Sequence, residues 1–181
     1  MGKSLIDRLN NGPVLCAEGY LFAMERRGYL QAGAFVPEVV LEHPEVLAQL
    51  HREFIRSGSD VIQAFTYYGH REKLRIIGKE QLLEPLQKNA LQIANDARKE
   101  FKDLNLMVCG DVANTNIYDP NDKKSNIECQ KMFEEQVGWA KEAGVDFIIA
   151  ETIVWVEEMK IALKAIKDAG LIAVCNYAFR R

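Results

Sequence analysis

The stretch Ala143-Gly144-Val145-Asp146-Phe147-Ile148-Ile149-Ala150-Glu151-Thr152 decides the fold of this chain. Gly144 follows an amphipathic helical pattern and suits the left-handed position that ends a helix. Residues 147–150 form an apolar run of strand length without polar alternation, which is typical of a parallel strand buried on both faces. Glu151 comes directly after this run. Because ligands bind at the C-terminal ends of parallel strands in α/β folds, the stretch predicts a helix end, a strand and a functional acid.

This junction between a helix and a strand recurs along the chain, at residues 57–62, 143–148 and 169–172. The apolar runs predict five strands, at residues 14–17, 61–65, 106–110, 147–150 and 171–175. Helical patterns separate these runs, so we expect a parallel sheet with right-handed crossovers. A (β/α)₈ barrel and a doubly wound open sheet both fit this order. No GxGxxG or GxxxxGK[ST] motif follows a strand, which weighs against a nucleotide-binding sheet.

The chain is too short to form a complete eight-stranded barrel. Five strands cannot close a barrel of this type, which needs about 250 residues. Residues 176–181 leave no room for a helix after the fifth strand. We therefore expect residues 1–181 to form a single domain that is the N-terminal part of a barrel, with the C-terminal half absent. Half a barrel leaves open strand edges and apolar faces, so we expect it to pair with another chain as a homo- or hetero-oligomer.

Composition excludes several classes of protein. The chain has 181 residues, of which 48% are hydrophobic and 27% charged, the balance of an ordinary globular protein. A formal net charge of −3 does not favour nucleic acid or an anionic membrane as a partner. No apolar run approaches the ~20 residues of a membrane span, and residues 1–8 lack the apolar segment of a signal peptide. Four widely spaced cysteines without a CxxC pair predict reduced thiols in the cytosol.

Polar side chains follow each predicted strand. They are Glu18 after the first strand, Gln63, Thr66, Tyr67, Tyr68 and His70 in and after the second, Asp111 after the third, Glu151 after the fourth and Asn176 after the fifth. Taken singly, each has a structural alternative: the two glutamates could cap helices, and the tyrosines could be packing residues. Taken together at one rim, acids and aromatic rings predict a cationic ligand, because carboxylates pair with ammonium and aromatic faces attract quaternary ammonium.

Two further predictions concern helices. Ser125-Asn126-Ile127-Glu128 has the pattern of a capping box, which predicts that a helix begins at Ser125. His43 and His51 fall in the first helical region, where we expect surface positions.

Several motifs of this chain together resemble one known family. They are Gly28-Tyr29, Pro37-Glu38 and residues 42–46, 49–54, 58–59 and 63–68. They closely resemble the betaine–homocysteine S-methyltransferases, within the homocysteine S-methyltransferase family. The resemblance is specific through about residue 75 and continues more loosely, in register, to about residue 174. It covers nearly all of this chain but only the first half of the family's barrel.

The resemblance implies a (β/α)₈ barrel that transfers a methyl group from betaine to homocysteine, giving methionine and dimethylglycine. It also implies zinc, which binds and deprotonates the homocysteine thiol. The family's three zinc cysteines lie beyond this chain, and Cys16, Cys109, Cys129 and Cys175 stand at other positions. We therefore expect no metal site and no turnover by this chain alone. Two alternatives are a non-enzymatic short isoform or pseudoenzyme that binds a ligand or a full-length partner, and a homocysteine methyltransferase with another donor, such as S-methylmethionine.

The resemblance also implies roles for individual residues. Glu151 matches an acid that grips the homocysteine ammonium, and Glu18 stands where the family has Asp; Gln63 and Thr66 complete the predicted homocysteine site. The predicted betaine site consists of Tyr68, Tyr67 and Phe35, the last in place of a family Trp. Thr152 replaces a family Tyr. Two of the three aromatic positions of the betaine site are thus altered, which is why the donor alternative stays open.

Overall fold

The computed structural model describes residues 4–30 and 37–179 and shows helices alternating with parallel strands. The helices are α1 (Leu5–Leu9), α2 (Tyr20–Arg26), α3 (Val39–Glu42), α4 (Pro44–Arg56), α5 (Arg71–Ile76), α6 (Leu83–Glu100), α7 (Lys123–Glu142) and α8 (Val156–Asp168). A 3₁₀ turn, Glu80–Leu82, precedes α6. The strands are β1 (Val61–Gln63), β2 (Met107–Ala113), β3 (Phe147–Ile153) and β4 (Ile172–Tyr177). None of the described helices is both long and apolar enough to cross a membrane.

All four strands are parallel and follow chain order, β1-β2-β3-β4, in one sheet. The predicted α/β class is confirmed. The predicted first strand is reduced to a single pairing of Cys16 with Val61, supported by a hydrogen bond of 2.9 Å from the Ala17 amide to the Val61 carbonyl. Pro13, which has no N–H, precedes this segment, and Gly19, with a φ of 83°, turns the chain into α2. The segment is therefore too short for a full strand, although it lies where a fifth strand belongs.

The recurring junction has the same structure in two copies. Gly58 and Gly144 take positive φ values of 99° and 72° as their helices end. The aspartate two residues later ties the next strand to the preceding one. Asp60 accepts a hydrogen bond of 2.8 Å from the Leu15 amide, and Asp146 accepts one of 2.8 Å from the Val108 amide. Each junction therefore ends a helix and sets the start of a strand against its neighbour.

The sheet has two apolar faces. The outer face packs against helices α6, α7 and α8 in the main core. The inner face carries a separate buried cluster of Leu5, Val61, Met107, Cys109, Phe147 and Ile149. Helix α1 thus covers the inner face from below through Leu5, which is buried. The last strand, β4, is only partly covered, since its residues range from half-buried to exposed.

Two predictions about helices are wrong. Helix α7 begins at Lys123, and its N-cap is Asp122, whose carboxylate accepts a hydrogen bond of 2.9 Å from the Lys124 amide. The hydroxyl of Ser125 instead bonds to main-chain atoms of the preceding loop. His51 is fully buried, because the face of α4 that carries it packs towards α2. His43, by contrast, is exposed as expected.

Candidate functional site

The inner face of the sheet changes from apolar to polar at its upper end. Successive side chains of a strand point to opposite faces, so residues two apart share a face. Gln63 therefore continues the inner row of β1, Asp111 continues that of β2 and Glu151 that of β3. The pairing is staggered: Asp111 lies opposite Ile149, and Glu151 lies opposite Ala113. Each of the three polar residues therefore lies closer to the C-terminal edge of the sheet than the one on the preceding strand. They form the top layer above the inner apolar cluster.

These polar groups lie in a cavity of about 330 Å³ at the C-terminal ends of the strands. Its lining consists of Glu18, Gly19, Tyr20, Leu21, Phe22, Gln63, Ala64, Phe65, Tyr67, Asp111, Glu151 and Thr152. The cavity combines one apolar and aromatic wall with a polar group of three carboxyls and one amide. None of these described lining residues is a lysine or an arginine. Such a cavity favours a small ligand with a positive charge and an apolar part.

A hydrogen bond connects two sides of the cavity. The Gln63 amide nitrogen donates to Glu151 at 3.0 Å. Asp111 lies on the strand between them and is 3% exposed. Neither of its carboxyl oxygens has a hydrogen-bond partner among the described residues. A buried carboxyl needs hydrogen-bond donors to offset its loss of water, so Asp111 is able to accept a hydrogen bond from a ligand in the cavity.

Burial and neighbouring carboxyls shift the pKa values of both inner acids. Burial raises the pKa of Asp111 well above its usual range, and the neighbouring Glu151 raises it further. Burial also raises the pKa of Glu151, and Glu18 adds to this shift, whereas the contacts with Gln63 and Asp111 oppose it. Both carboxyls are therefore harder to ionise than in water. A cation placed between them would reverse this effect, because an opposite charge favours the ionised form.

A buried tyrosine and histidine support the aromatic wall. The Tyr20 hydroxyl and the His51 Nδ1 are 2.9 Å apart, and both side chains are buried. Burial lowers the pKa of His51 to about 3, so the ring is neutral near pH 7. Tyr20 also packs edge-on against Phe54. The position of the Tyr20 ring in the cavity wall is thus set by α4, a contact that the sequence pattern did not reveal.

The structure brings together most of the predicted homocysteine residues. Glu18, Gln63 and Glu151 line the cavity, with Glu18 exposed at its mouth. Thr66 is buried outside the cavity lining, where its hydroxyl donates to the Asp111 carbonyl at 2.8 Å. Thr66 therefore supports the backbone of β2 at the point where Asp111 enters the cavity.

The predicted betaine residues are more dispersed. Tyr67 lines the cavity, and burial raises the pKa of its phenol. The ring of Tyr68 lies outside the cavity lining, with its centroid 4.2 Å from that of Tyr67, and the Lys73 ammonium is 4.1 Å from its centroid. Phe35 lies outside the described residues. The aromatic pair is therefore present at the rim, but one face of the Tyr68 ring already makes a cation–π contact with Lys73.

Thr152 has a strained backbone next to the acid. Its φ of 55° is rare for a β-branched residue. The strain accompanies an irregularity in the pairing of β3 with β4, where Ala150 pairs with Cys175 and Ile153 with Tyr177. The additional residue on β3 redirects the chain directly after Glu151. Strained backbone is concentrated at functional sites, which agrees with a binding role for this rim.

Asp111 was predicted at the rim but was given no binding role of its own, and Tyr20 was not predicted at all. For Asp111 a signal existed: it continues the alternating inner row that contains Met107 and Cys109, as Glu151 continues that of β3. Tyr20 gave no comparable signal, because its place in the wall depends on His51 from a distant part of the sequence.

The described residues do not fit the zinc that the resemblance implies. Within residues 4–30 and 37–179, no three His, Cys, Asp or Glu side chains are placed to hold a metal ion. Cys129 lies with the outer core, where its sulfur is 3.1 Å from the Thr115 hydroxyl. Cys16 and Cys109 belong to the inner cluster below the cavity. We therefore assign no metal ligand to this part of the chain.

Comparison with known proteins agrees with the geometry. A family profile described as homocysteine S-methyltransferase matches residues 17–180. Betaine–homocysteine S-methyltransferase 1 of Bos taurus and that of Mus musculus are each 38% identical over 170 residues, which is 93% of this chain and 41% of the relative. The chain thus spans about two fifths of the length of these curated relatives.

A solved structure shows the same fold. The homocysteine methyltransferase MmuM from Escherichia coli, in a metallated form, superposes with a TM-score of 0.76 at 20% identity. The match covers 95% of this chain and 65% of that one. The four parallel strands and their helices therefore correspond to part of that structure.

Proposed function

The chain belongs to the homocysteine S-methyltransferase family, and from this premise we propose that its cavity binds homocysteine as a methyl acceptor. Residues 1–181 would act as one homocysteine-binding domain. The ammonium of the amino acid lies at Glu151 and Gln63, with Glu18 closing the mouth. The single observation that carries this proposal is the acidic cavity, which has no lysine or arginine among its described lining residues.

Charge and shape support an amino-acid ligand. An ammonium between buried carboxyls supplies the opposite charge that the cavity lacks, and its N–H groups supply donors. The wall of Tyr20, Leu21 and Phe65 gives the thioalkyl chain an apolar surface. A cavity of about 330 Å³ lies in the range of small-molecule sites.

We propose betaine as the methyl donor. Its quaternary ammonium has no N–H group and is attracted by aromatic faces, for which Tyr67 at the rim and the adjacent Tyr68 are the candidates. Phe35 completes this prediction from the sequence. S-methylmethionine is the second candidate, because Thr152 at the cavity lacks the ring that the family has there. Competition between the two donors in a methionine-formation assay distinguishes them, with a chain completed by the half of the barrel that carries the zinc cysteines.

No step of this proposal runs through zinc, because the described residues do not supply its ligands. This chain's own part is to bind and orient homocysteine. A non-enzymatic binding protein, alone or assembled with a longer chain, makes the same binding prediction but predicts no methionine. The four cysteines are free thiols, in keeping with the reducing cytosol, where we place the protein.

Isothermal titration calorimetry with L-homocysteine under reducing conditions tests the proposal. We expect binding by the wild type, and Glu151→Gln to weaken it by about 10- to 100-fold, because a charge-assisted contact is lost. Glu134→Gln, at an exposed position on α7, is the matched control and should bind like the wild type. A wild type without measurable binding, or equal affinity in both variants, would overturn the proposal. Adding betaine and zinc and measuring methionine separates the enzyme from the binding protein.

A further inference from the structure

Asp111 is the least satisfied charged group in the described part of the cavity. It is 3% exposed, and both of its carboxyl oxygens lack a hydrogen-bond partner. By comparison, the buried carboxyl of Glu158 on helix α8 accepts hydrogen bonds of 2.7 and 2.6 Å from the Thr115 amide and hydroxyl. A carboxyl with this degree of burial normally has partners, so the open position at Asp111 points to a donor that arrives with a ligand.

Within residues 4–30 and 37–179, the surroundings of Asp111 contain no cation that could serve as this donor. The groups that act on its charge or on that of Glu151 are Glu151, Glu18, Gln63, Cys16, Cys109 and Tyr67. All are acidic, weakly acidic or neutral. Gln63 also acts on the Asp111 carboxyl, whose pKa it lowers, but its amide nitrogen donates to Glu151 at 3.0 Å. Thr66 donates to the main-chain carbonyl of Asp111 rather than to its carboxyl. Among the described residues, the donor left for the Asp111 carboxyl is therefore a proton held between it and Glu151, and a cationic donor has to come with the ligand.

We propose that Asp111 is a specificity-determining residue that forms, with Glu151, a two-carboxyl receptor for a primary ammonium and takes up that cation in exchange for a proton. This inference rests on the proposed function of the same cavity. A primary ammonium has three N–H donors, so it can serve Glu151 and the open oxygens of Asp111 together. A quaternary ammonium has none and leaves Asp111 unsatisfied. Asp111 thus selects the amino end of an amino acid over betaine at this position.

The exchange of a proton follows from the closeness of the two acids. In the free cavity, burial and repulsion disfavour two negative charges side by side, so the pair retains a proton. When the ammonium enters between them, the retained proton leaves to solvent and the ligand keeps its own three. Burial raises the pKa of both acids, in agreement with this exchange. Binding should therefore release protons near neutral pH.

Calorimetry with L-homocysteine in phosphate and in Tris tests the proposal, because the difference in binding enthalpy between the two buffers counts the protons released. We expect the wild type to release a measurable fraction of a proton. Asp111→Asn should release less and bind about 10- to 100-fold more weakly. Asp119→Asn, an exposed loop position, is the matched control and should keep both the affinity and the proton count of the wild type.

The outcomes separate the role of Asp111 from the binding of homocysteine in the cavity. If Asp111→Asn binds as tightly as the wild type with the same proton count, the role of Asp111 is refuted while the homocysteine site stands. If the wild type does not bind homocysteine, both claims are refuted. Thermal unfolding checks that the variant folds: Asn removes a buried ionisable group, so we expect a midpoint at or above that of the wild type. Betaine provides the second probe, and a loss of betaine affinity in Asp111→Asn equal to that of homocysteine would contradict the selection of a primary ammonium.

Discussion

Gln63 on β1 and Glu151 on β3 are joined by a hydrogen bond of 3.0 Å, although β2 lies between their strands in the sheet. The bond crosses the inner face rather than following the sheet, and it is possible because both side chains point inward at the upper end of their strands. It is also the larger of two contacts, the other being with Asp111, that lower the pKa of Glu151 against the effect of burial. The amide thereby keeps the acid closer to its ionised, ligand-binding form.

We expect Gln63→Ala to weaken homocysteine binding by about threefold to tenfold near pH 7. Without the amide the pKa of Glu151 rises further, so less of the acid is ionised; affinity should recover in part as the pH is raised towards about 8. Titration calorimetry at several pH values measures this. Gln49→Ala, an exposed glutamine on α4 that bonds to Glu53, serves as the control. An unchanged dissociation constant at every pH would contradict the role given to Gln63.

The buried histidine predicts sensitivity to acid. The pKa of His51 is lowered from 6.5 to about 3 in the folded protein, so the unfolded chain binds a proton that the folded chain does not. The contribution of His51 to the free energy of unfolding is fully present above pH 6.5. It is lost as the pH falls towards 3, at up to about 1.4 kcal/mol per pH unit. His70, with a pKa lowered to about 4 chiefly by burial, acts in the same direction.

Urea unfolding at a series of pH values between about 7 and 5 measures this dependence. His51→Gln, which does not titrate and can still bond to Tyr20, should show a shallower loss of stability than the wild type. His43→Gln, at an exposed position, should retain the wild-type slope. Asp111 and Glu151 have raised pKa values, so their contribution to the free energy of unfolding changes with pH in the opposite sense. For this reason the slope of that free energy against pH is compared between each variant and the wild type. Equal slopes for His51→Gln and the wild type would refute the effect.

The strained backbone at Thr152 predicts a difference between two substitutions. A left-handed conformation costs a side-chain-bearing residue about 1 kcal/mol or more relative to glycine. We therefore expect Thr152→Gly to be about 1 kcal/mol more stable than Thr152→Ala. Both variants lose the hydroxyl that bonds to Asn114, so the difference isolates the backbone. Chemical denaturation of the two proteins is the measurement, and an alanine variant as stable as the glycine variant would show that Thr152 is not strained.

The hydrogen bonds of Asp146, the aspartate at the junction before β3, predict that its removal destabilises the protein. Asp146 accepts bonds from the Val108 amide at 2.8 Å and from Arg98 at 2.9 Å. Asp146→Ala leaves the strand amide without its acceptor, so we expect a loss of about 1–3 kcal/mol in the free energy of unfolding. Asp103→Ala, at an exposed position before β2, should change it little. If both variants unfold at the same denaturant concentration, Asp146 does not help to hold β2 against β3.

The prediction from sequence succeeded where the signal is local. Glycines at the ends of helices and unbroken apolar runs identified β1 to β4, because helix ends and buried strands have a composition of their own. The segment at 14–17 carried the same apolar signal but made only one pairing. Its length as a strand depends on the turn at Gly19 and on Val61, which lies far along the chain. The start of α7 was misplaced for a similar reason, since Asp122 and Ser125 are both good caps and the loop geometry chose Asp122.

The sequence alone places polar side chains at the ends of buried parallel strands, since alternation with a period of two puts Gln63, Asp111 and Glu151 on the inner rows. Which of them meet depends on how the strands and helices pack. The stagger between strands brings the Gln63 amide to Glu151, while the Asp111 oxygens have no comparable contact among the described residues, and the packing of α4 buries His51 behind Tyr20. The physical reason is that side-chain direction follows from local backbone geometry, whereas contacts depend on register and packing between residues far apart in the chain.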